Sequence, residues 1–153
     1  MHYPARNAIA PVTVSPHARL LIVDDDPLVR ELHSRVLSLA GYDVETAENG
    51  ADALERLAEE PFDLVLTDRN MPTLSGVNIV LALRSAGSRI PVVMVSGSVG
   101  SQPLPPAVNR QIFAALPKPA RTSEVLSAVA LALNADNRPN GYRAMRQLHS
   151  LEA

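Results

Sequence analysis

The chain has 153 residues, 46% hydrophobic and 20% charged, which is enough for one domain with a proper core. It contains no Cys, which excludes a disulfide framework and a thiolate metal site and fits a reducing cytoplasm. No apolar run approaches a membrane span and the N-terminus lacks the apolar core of a signal peptide, so neither a membrane partner nor export is expected.

The formal net charge of −2 conceals an uneven distribution. Residues 20–134 carry 14 acids against 9 bases, a net of −5, which argues against a nucleic-acid partner for this region. We expect an extended or disordered arm over residues 1–18, a single α/β domain over 19–134 and a tail over 135–153, in which Tyr142, Met145 and Leu148 line one side of a short helix.

From Leu20 onwards strand and helix patterns alternate. LLIV is a short buried strand, and Asp26-Pro27 supplies an N-cap with Pro at the first helical position. Leu28, Leu32, Val36 and Leu39 define the expected buried face of the first helix, which Gly41 stops. DVETAE is a second strand, and Asn49-Gly50 opens the helix ADALERLAEE. FDLVLT is a third strand, Ser75-Gly76 caps VNIVLALRSAG, and PVVMVS is a fourth strand. Pro103, Pro105 and Pro106 then interrupt the next stretch, where interior prolines cost a helix about 3 kcal/mol each. An irregular loop and a short helix from Pro105 or Pro106 are expected there. FAAL forms a fifth strand, with Phe113 on the face of Ala115 by alternation. Thr122-Ser123 opens the last helix, with Val125, Val129 and Leu133 in line.

Apolar strands separated by amphipathic helices predict a doubly wound, five-stranded parallel sheet covered on both faces. Sites in such sheets lie at the carboxyl ends of the strands. Those ends carry Asp24-Asp25-Asp26, Asp68, Ser96-Gly97 and Lys118. Adjacent carboxylates repel by about 4 kcal/mol per pair at 4 Å in a partly wet site, which calls for a compensating cation. Mg2+ suits a cluster of hard oxygens, because one or two carboxylates suffice and water or phosphate oxygens complete its octahedron. Asp68 is then a candidate nucleophile, Ser96 a donor and Lys118 a point charge for a phosphoryl group. Lys118 is the single lysine of a chain with 13 arginines, so generic surface charge is carried by Arg. Taken singly, Ser96-Gly97 reads as a turn and Asp68 as an ordinary strand-end acid. The four histidines (His2, His17, His33, His149) show no ligand spacing and read as surface or arm residues.

LLIVDDD, LVLTDRNMPTLSG, PVVMVSG and LPKP occur in this order, each at an expected strand end. In this the chain resembles the receiver domain of two-component response regulators over about residues 18–134. The resemblance implies the flavodoxin-like receiver fold, with Asp24 and Asp25 as the acidic pair for Mg2+ and Asp68 as phosphoacceptor. Asn70 would offer its backbone carbonyl to the metal and stand near the attacking-water path. Ser96 would bond the phosphoryl group, Gly97 leave room for the donor, and Lys118 serve as the site lysine, with a cis bond to Pro119. Asp26 is left as a helix cap. Ala115 departs from the pattern, since an aromatic switch residue usually stands three positions before the lysine.

The expected function is a stand-alone receiver that takes a phosphoryl group from a histidine kinase or histidine phosphotransfer protein and signals to an unknown downstream protein by contact. It would accelerate its own phosphorylation and dephosphorylation without being a turnover enzyme. Alternatives are a receiver-like module acting without phosphorylation and the receiver of a larger hybrid kinase, against which the start at Met1 speaks mildly. Asp24-x-Asp26 after a strand also resembles the first motif of Asp-nucleophile phosphatases, although Leu28 stands where Thr or Val is typical there.

Overall fold

The computed structural model describes residues 18–97 and 102–135. The elements are β1 (Arg19–Val23), α1 (Pro27–Leu39), β2 (Asp43–Ala47), α2 (Gly50–Glu59), β3 (Leu64–Asp68), α3 (Gly76–Ser85), β4 (Val92–Ser96), α4 (Pro106–Asn109), β5 (Ala114–Pro117) and α5 (Thr122–Asn134). All strand pairs are parallel and the order across the sheet is β2-β1-β3-β4-β5, which is the flavodoxin-like arrangement. The expected arm and tail lie outside the described residues.

Strand alternation sorts the apolar side chains into two cores. Leu21, Val23, Val65, Val92 and Met94 face Ala53 of α2 and Ile79, Val80 and Leu83 of α3. Leu20, Ile22, Leu64, Leu66, Val93 and Val95 face Leu37 of α1 and Val125 and Val129 of α5. A strand buried on both faces cannot alternate with polar residues, and every residue of β3 is buried. Each such Leu, Val or Ile contributes about 1.5–3 kcal/mol by leaving water, more than any single helix cap at about 1 kcal/mol.

The caps nevertheless set where the helices start. The Asp26 carboxylate accepts from the Leu28 amide at 2.9 Å, and the Asn49 side chain accepts from the Asp52 amide at 2.8 Å. Ser75 and Asn78 form a reciprocal capping box at the start of α3. Gly41, at φ +100°, occupies the left-handed conformation that ends α1 at little steric cost. The prolines reduce α4 to four residues, as expected.

Three sequence expectations are corrected. The buried stripe of α1 is His33 and Leu37, whereas Leu28, Leu32 and Leu39 are exposed. The two stripes differ in phase by one residue, about 100° of rotation, and the more apolar one faces solvent. His33 is therefore not a surface residue; it is only 6% exposed. Phe113 does not share the face of Ala115. The strand begins at Ala114, Phe113 packs in the α5-side core, and Ala115 pairs with Met94 of the opposite core.

Burial, and then the charge of Lys118, hold the His33 imidazole below its usual pKa, so it folds as the neutral form. The unfolded chain thus binds a proton more readily near the ordinary value of about 6.5, and stability is lost as pH falls from there towards the depressed folded value. Urea titrations of the protein and of His33→Gln should diverge in that window as the histidine protein weakens. Parallel curves would refute this account.

Candidate functional site

The winding direction reverses between β1 and β3, and in such sheets ligands bind there, at the carboxyl ends of the strands. Asp24 and Asp25 follow β1, Asp68 is the last residue of β3, Ser96 is the last of β4 and Lys118 follows β5. The fold thus gathers residues up to 94 positions apart in sequence without any local signal linking them.

One carboxylate oxygen each from Asp24, Asp25 and Asp68 lies within 4.8 Å of the others. Asp24 and Asp68 are buried and Asp25 is exposed. The Lys118 Nζ stands 2.9 Å from Asp68 Oδ2. The other Asp68 oxygen, Oδ1, accepts from the Asn70 amide at 3.2 Å. Asp24 Oδ1 accepts from the Asp26 amide at 2.9 Å, and the Arg30 guanidinium donates to the Asp24 backbone carbonyl at 2.8 Å. The Lys118 amide donates to the Ser96 carbonyl at 2.8 Å, which ties the ends of β4 and β5 beside the cluster. Ser96 and Gly97 are half-buried at this rim, Asn70 is exposed at the mouth, and the Lys118–Pro119 bond is cis.

Charge explains the titration behaviour. Burial, only partly offset by the Asp26 amide and reinforced by the Asp68 charge, raises the Asp24 carboxyl above the usual range. Burial alone would lower the Lys118 ammonium, but the hydrogen bond and charge of Asp68, with Asp24 and Asp25 behind it, together outweigh burial and raise it. One ammonium facing three carboxylates leaves a surplus of negative charge of the size a divalent cation offsets. The donors are all oxygens, and the exposed Asp25 leaves the cluster access to water, which fits Mg2+ and not a soft metal.

Gly76 does more here than cap α3. A Cβ at Gly76 would lie 2.5 Å from the Asp68 carbonyl oxygen and 3.1 Å from the Arg69 Cα, and the Gly76 amide donates to the Arg69 carbonyl at 2.9 Å. The start of α3 therefore rests directly on the backbone that presents Asp68. The available signal was a glycine in the first helical turn, where the Ser75 cap does not require one.

The family described as response regulator receiver domain matches residues 20–130. The chain belongs to this family. Receivers are the phosphoryl-accepting partners of histidine kinases in two-component signalling. The response regulator MprA of Mycolicibacterium vanbaalenii is 35% identical over 115 residues, 75% of this chain and 50% of that protein. The chain thus spans about half the length of such relatives. The sensor protein EvgS of Escherichia coli K12 is 39% identical over 82 residues, 54% of this chain and 7% of EvgS. A response regulator receiver domain protein from Clostridium thermocellum superposes with a TM-score of 0.72 at 25% identity, covering 78% of this chain and 97% of that one.

Proposed function

We propose that this receiver takes a phosphoryl group from a phosphohistidine onto Asp68. The observation that carries the reading is the Asp68 carboxylate 2.9 Å from the Lys118 ammonium, with Asp24 and Asp25 oxygens within 4.8 Å. An Asp68 oxygen attacks phosphorus, the N–P bond of the donor breaks, and the imidazole leaves with the electron pair. Lys118 neutralises phosphoryl oxygens at the acceptor, Ser96 donates a hydrogen bond to them, and Gly97 leaves room for the donor. Asp24, Asp25, Asp68 and the Asn70 backbone carbonyl would hold Mg2+, which when bound supplies charge neutralisation for the phosphoryl group. The protein is then no turnover enzyme; it accelerates only its own phosphorylation and dephosphorylation, with Asn70 near the path of the hydrolytic water.

The test is intact mass after incubation with acetyl phosphate. One phosphoryl group added with Mg2+ and none with EDTA is expected. No adduct from acetyl phosphate or from any phosphohistidine protein would leave the phosphorylation-independent module, which Ala115 and the short α4 favour.

The donor is proposed to be a histidine kinase or histidine phosphotransfer protein. The exposed Leu28 and Leu32 stand in the first turns of α1, directly after Asp24 and Asp25, and offer an apolar contact beside the acceptor. Leu28→Asp with Leu32→Asp should slow transfer from a phosphoprotein at least tenfold while leaving the acetyl phosphate reaction unchanged. Equal slowing of both reactions would refute the contact.

We further propose a cytoplasmic, stand-alone protein whose acidic domain binds no nucleic acid. Among the described residues no helix is long and apolar enough to cross a membrane. The match to a sensor protein favours a second reading, the receiver of a hybrid kinase. Immunoblotting the native protein separates them: a band at the 16.4 kDa of this chain supports the first, and a much larger one the second.

A further inference from the structure

We infer a second ligand site, for a small phosphate-bearing anion, at the opposite end of the sheet from Asp68. The end of α3, the α3–β4 connection, the turn before β5 and the end of α5 line a half-open cavity of about 120 Å3. Its wall carries three guanidinium groups, Arg84, Arg89 and Arg110, beside Ile112, Phe113 and Ala132, and no acidic side chain among the described residues. Strands of five residues at about 3.3 Å per residue separate this cavity from the acidic site by roughly 16 Å.

Arg84 is the preformed part. Its Nη1 donates to the Ser88 carbonyl at 2.9 Å, and its Nη2 to the Ile90 and Gln111 carbonyls at 3.0 and 2.6 Å. These bonds occupy three of the five N–H groups of a guanidinium and fix its position, yet neutral carbonyls leave its charge uncompensated. Burial, and then the neighbouring Arg89 charge, lower its pKa, although a guanidinium remains protonated. Among the described residues neither the Arg89 nor the Arg110 guanidinium has a hydrogen-bond or ion-pair partner.

Three of the nine described arginines meet acids: Arg19 meets Asp43, Glu45 and Glu60, Arg56 meets Glu45 and Asp52, and Arg121 meets Glu124. Arg30 and Arg69, like Arg84, bond backbone carbonyls instead, but neither lines this cavity. Over residues 20–134 acids outnumber bases 14 to 9, so three arginines gathered around one cavity with no acid among the described lining residues run against the composition. A monocarboxylate would leave two of those charges unmatched. A phosphomonoester or diphosphate matches them, and its oxygens suit the forked donors of Arg. The cavity is smaller than the ~300–1,000 Å3 of a pocket for a whole drug-sized ligand, so it seats the phosphate group, with Ile112 and Phe113 flanking whatever is attached.

The probe is inorganic pyrophosphate without Mg2+, followed by backbone amide shifts and calorimetry, against sodium chloride at matched ionic strength. Saturable shifts centred on Ser88–Ile90 and Gln111–Phe113 are expected. The double variant Arg89→Gln, Arg110→Gln should bind at least tenfold more weakly with an unchanged melting temperature, since both side chains are exposed and make no bond to a described residue. The inference is overturned by any of four results: no saturation, equal binding by the double variant, shifts confined to the surroundings of Asp68 and Lys118, or the same response to sodium chloride. Saturable binding of a poly-glutamate peptide with none of pyrophosphate would also overturn it, in favour of an acidic protein partner.

Discussion

Asp68→Asn should gain no mass from Mg2+ and acetyl phosphate under conditions in which the natural protein gains one phosphoryl group, a loss of more than a hundredfold. The amide nearly matches the carboxylate in volume but has no anionic oxygen with which to attack phosphorus. The loss should not come from unfolding. Asp68 contributes its charge to the repulsion that raises the Asp24 carboxyl, and removing that charge relieves it. Lys118 is about one-third exposed and retains Asp24 and Asp25 beside it, so it is not stranded as an unpaired buried ion. The variant should therefore melt at or above the temperature of the parent in the absence of metal. The informative surprise would be an adduct that persists in Asp68→Asn and disappears in Asp24→Asn. It would move the nucleophile to β1 and revive the phosphatase reading.

The second large effect belongs to Gly76. Adding one methyl group in Gly76→Ala places a carbon 2.5 Å from the Asp68 carbonyl oxygen, and the obstacle is backbone, which cannot rotate away. Either α3 lifts from the end of β3 or Asp68 is displaced. Overpacking of this kind costs about 1–3 kcal/mol, and a misplaced carboxylate slows phosphorylation well beyond what that destabilisation explains. Ser75→Ala is the control. It removes a cap at about 1 kcal/mol without pressing on Asp68. Urea melts and time courses of adduct formation should show both variants weakened but only Gly76→Ala slow. A Gly76→Ala protein as stable and as fast as the parent would mean that the contact has slack.

The sheet was legible from sequence because strands buried on both faces must be written as continuous aliphatic runs, and LLIV, LVLT and VVMV are such runs. Helix starts were legible because Asp26, Asn49 and Ser75 each perform a local task that few residue types perform. The strand-end residues followed from the rule that parallel sheets work at their carboxyl ends. The prolines before β5 removed most of α4 for a local reason as well. What could not be read depends on tertiary phase. Two stripes on α1 differ by one residue, and hydropathy alone prefers the leucines to His33 and Leu37. Phe113 lies one residue outside β5, where alternation no longer holds. Gly76 and Arg84 act across elements, on the Asp68 backbone and on the Gln111 carbonyl; a glycine that the cap does not need marks the first without naming its partner, and nothing in the neighbouring sequence marks the second.

The scarcity of lysine has a practical consequence once its position is known. The only side-chain primary amine of the chain stands 2.9 Å from Asp68, and about one-third of it is open to water. An amine-selective acylating reagent thus has a single internal target, and that target lies inside the proposed acceptor site. Acylation there would remove the positive charge and place a bulky group over the carboxylate. A bound phosphoryl group would in turn shield the amine. Chemical labelling of this protein therefore reports the occupancy of one site, and any lysine-modifying enzyme that reached it would act as an off-switch.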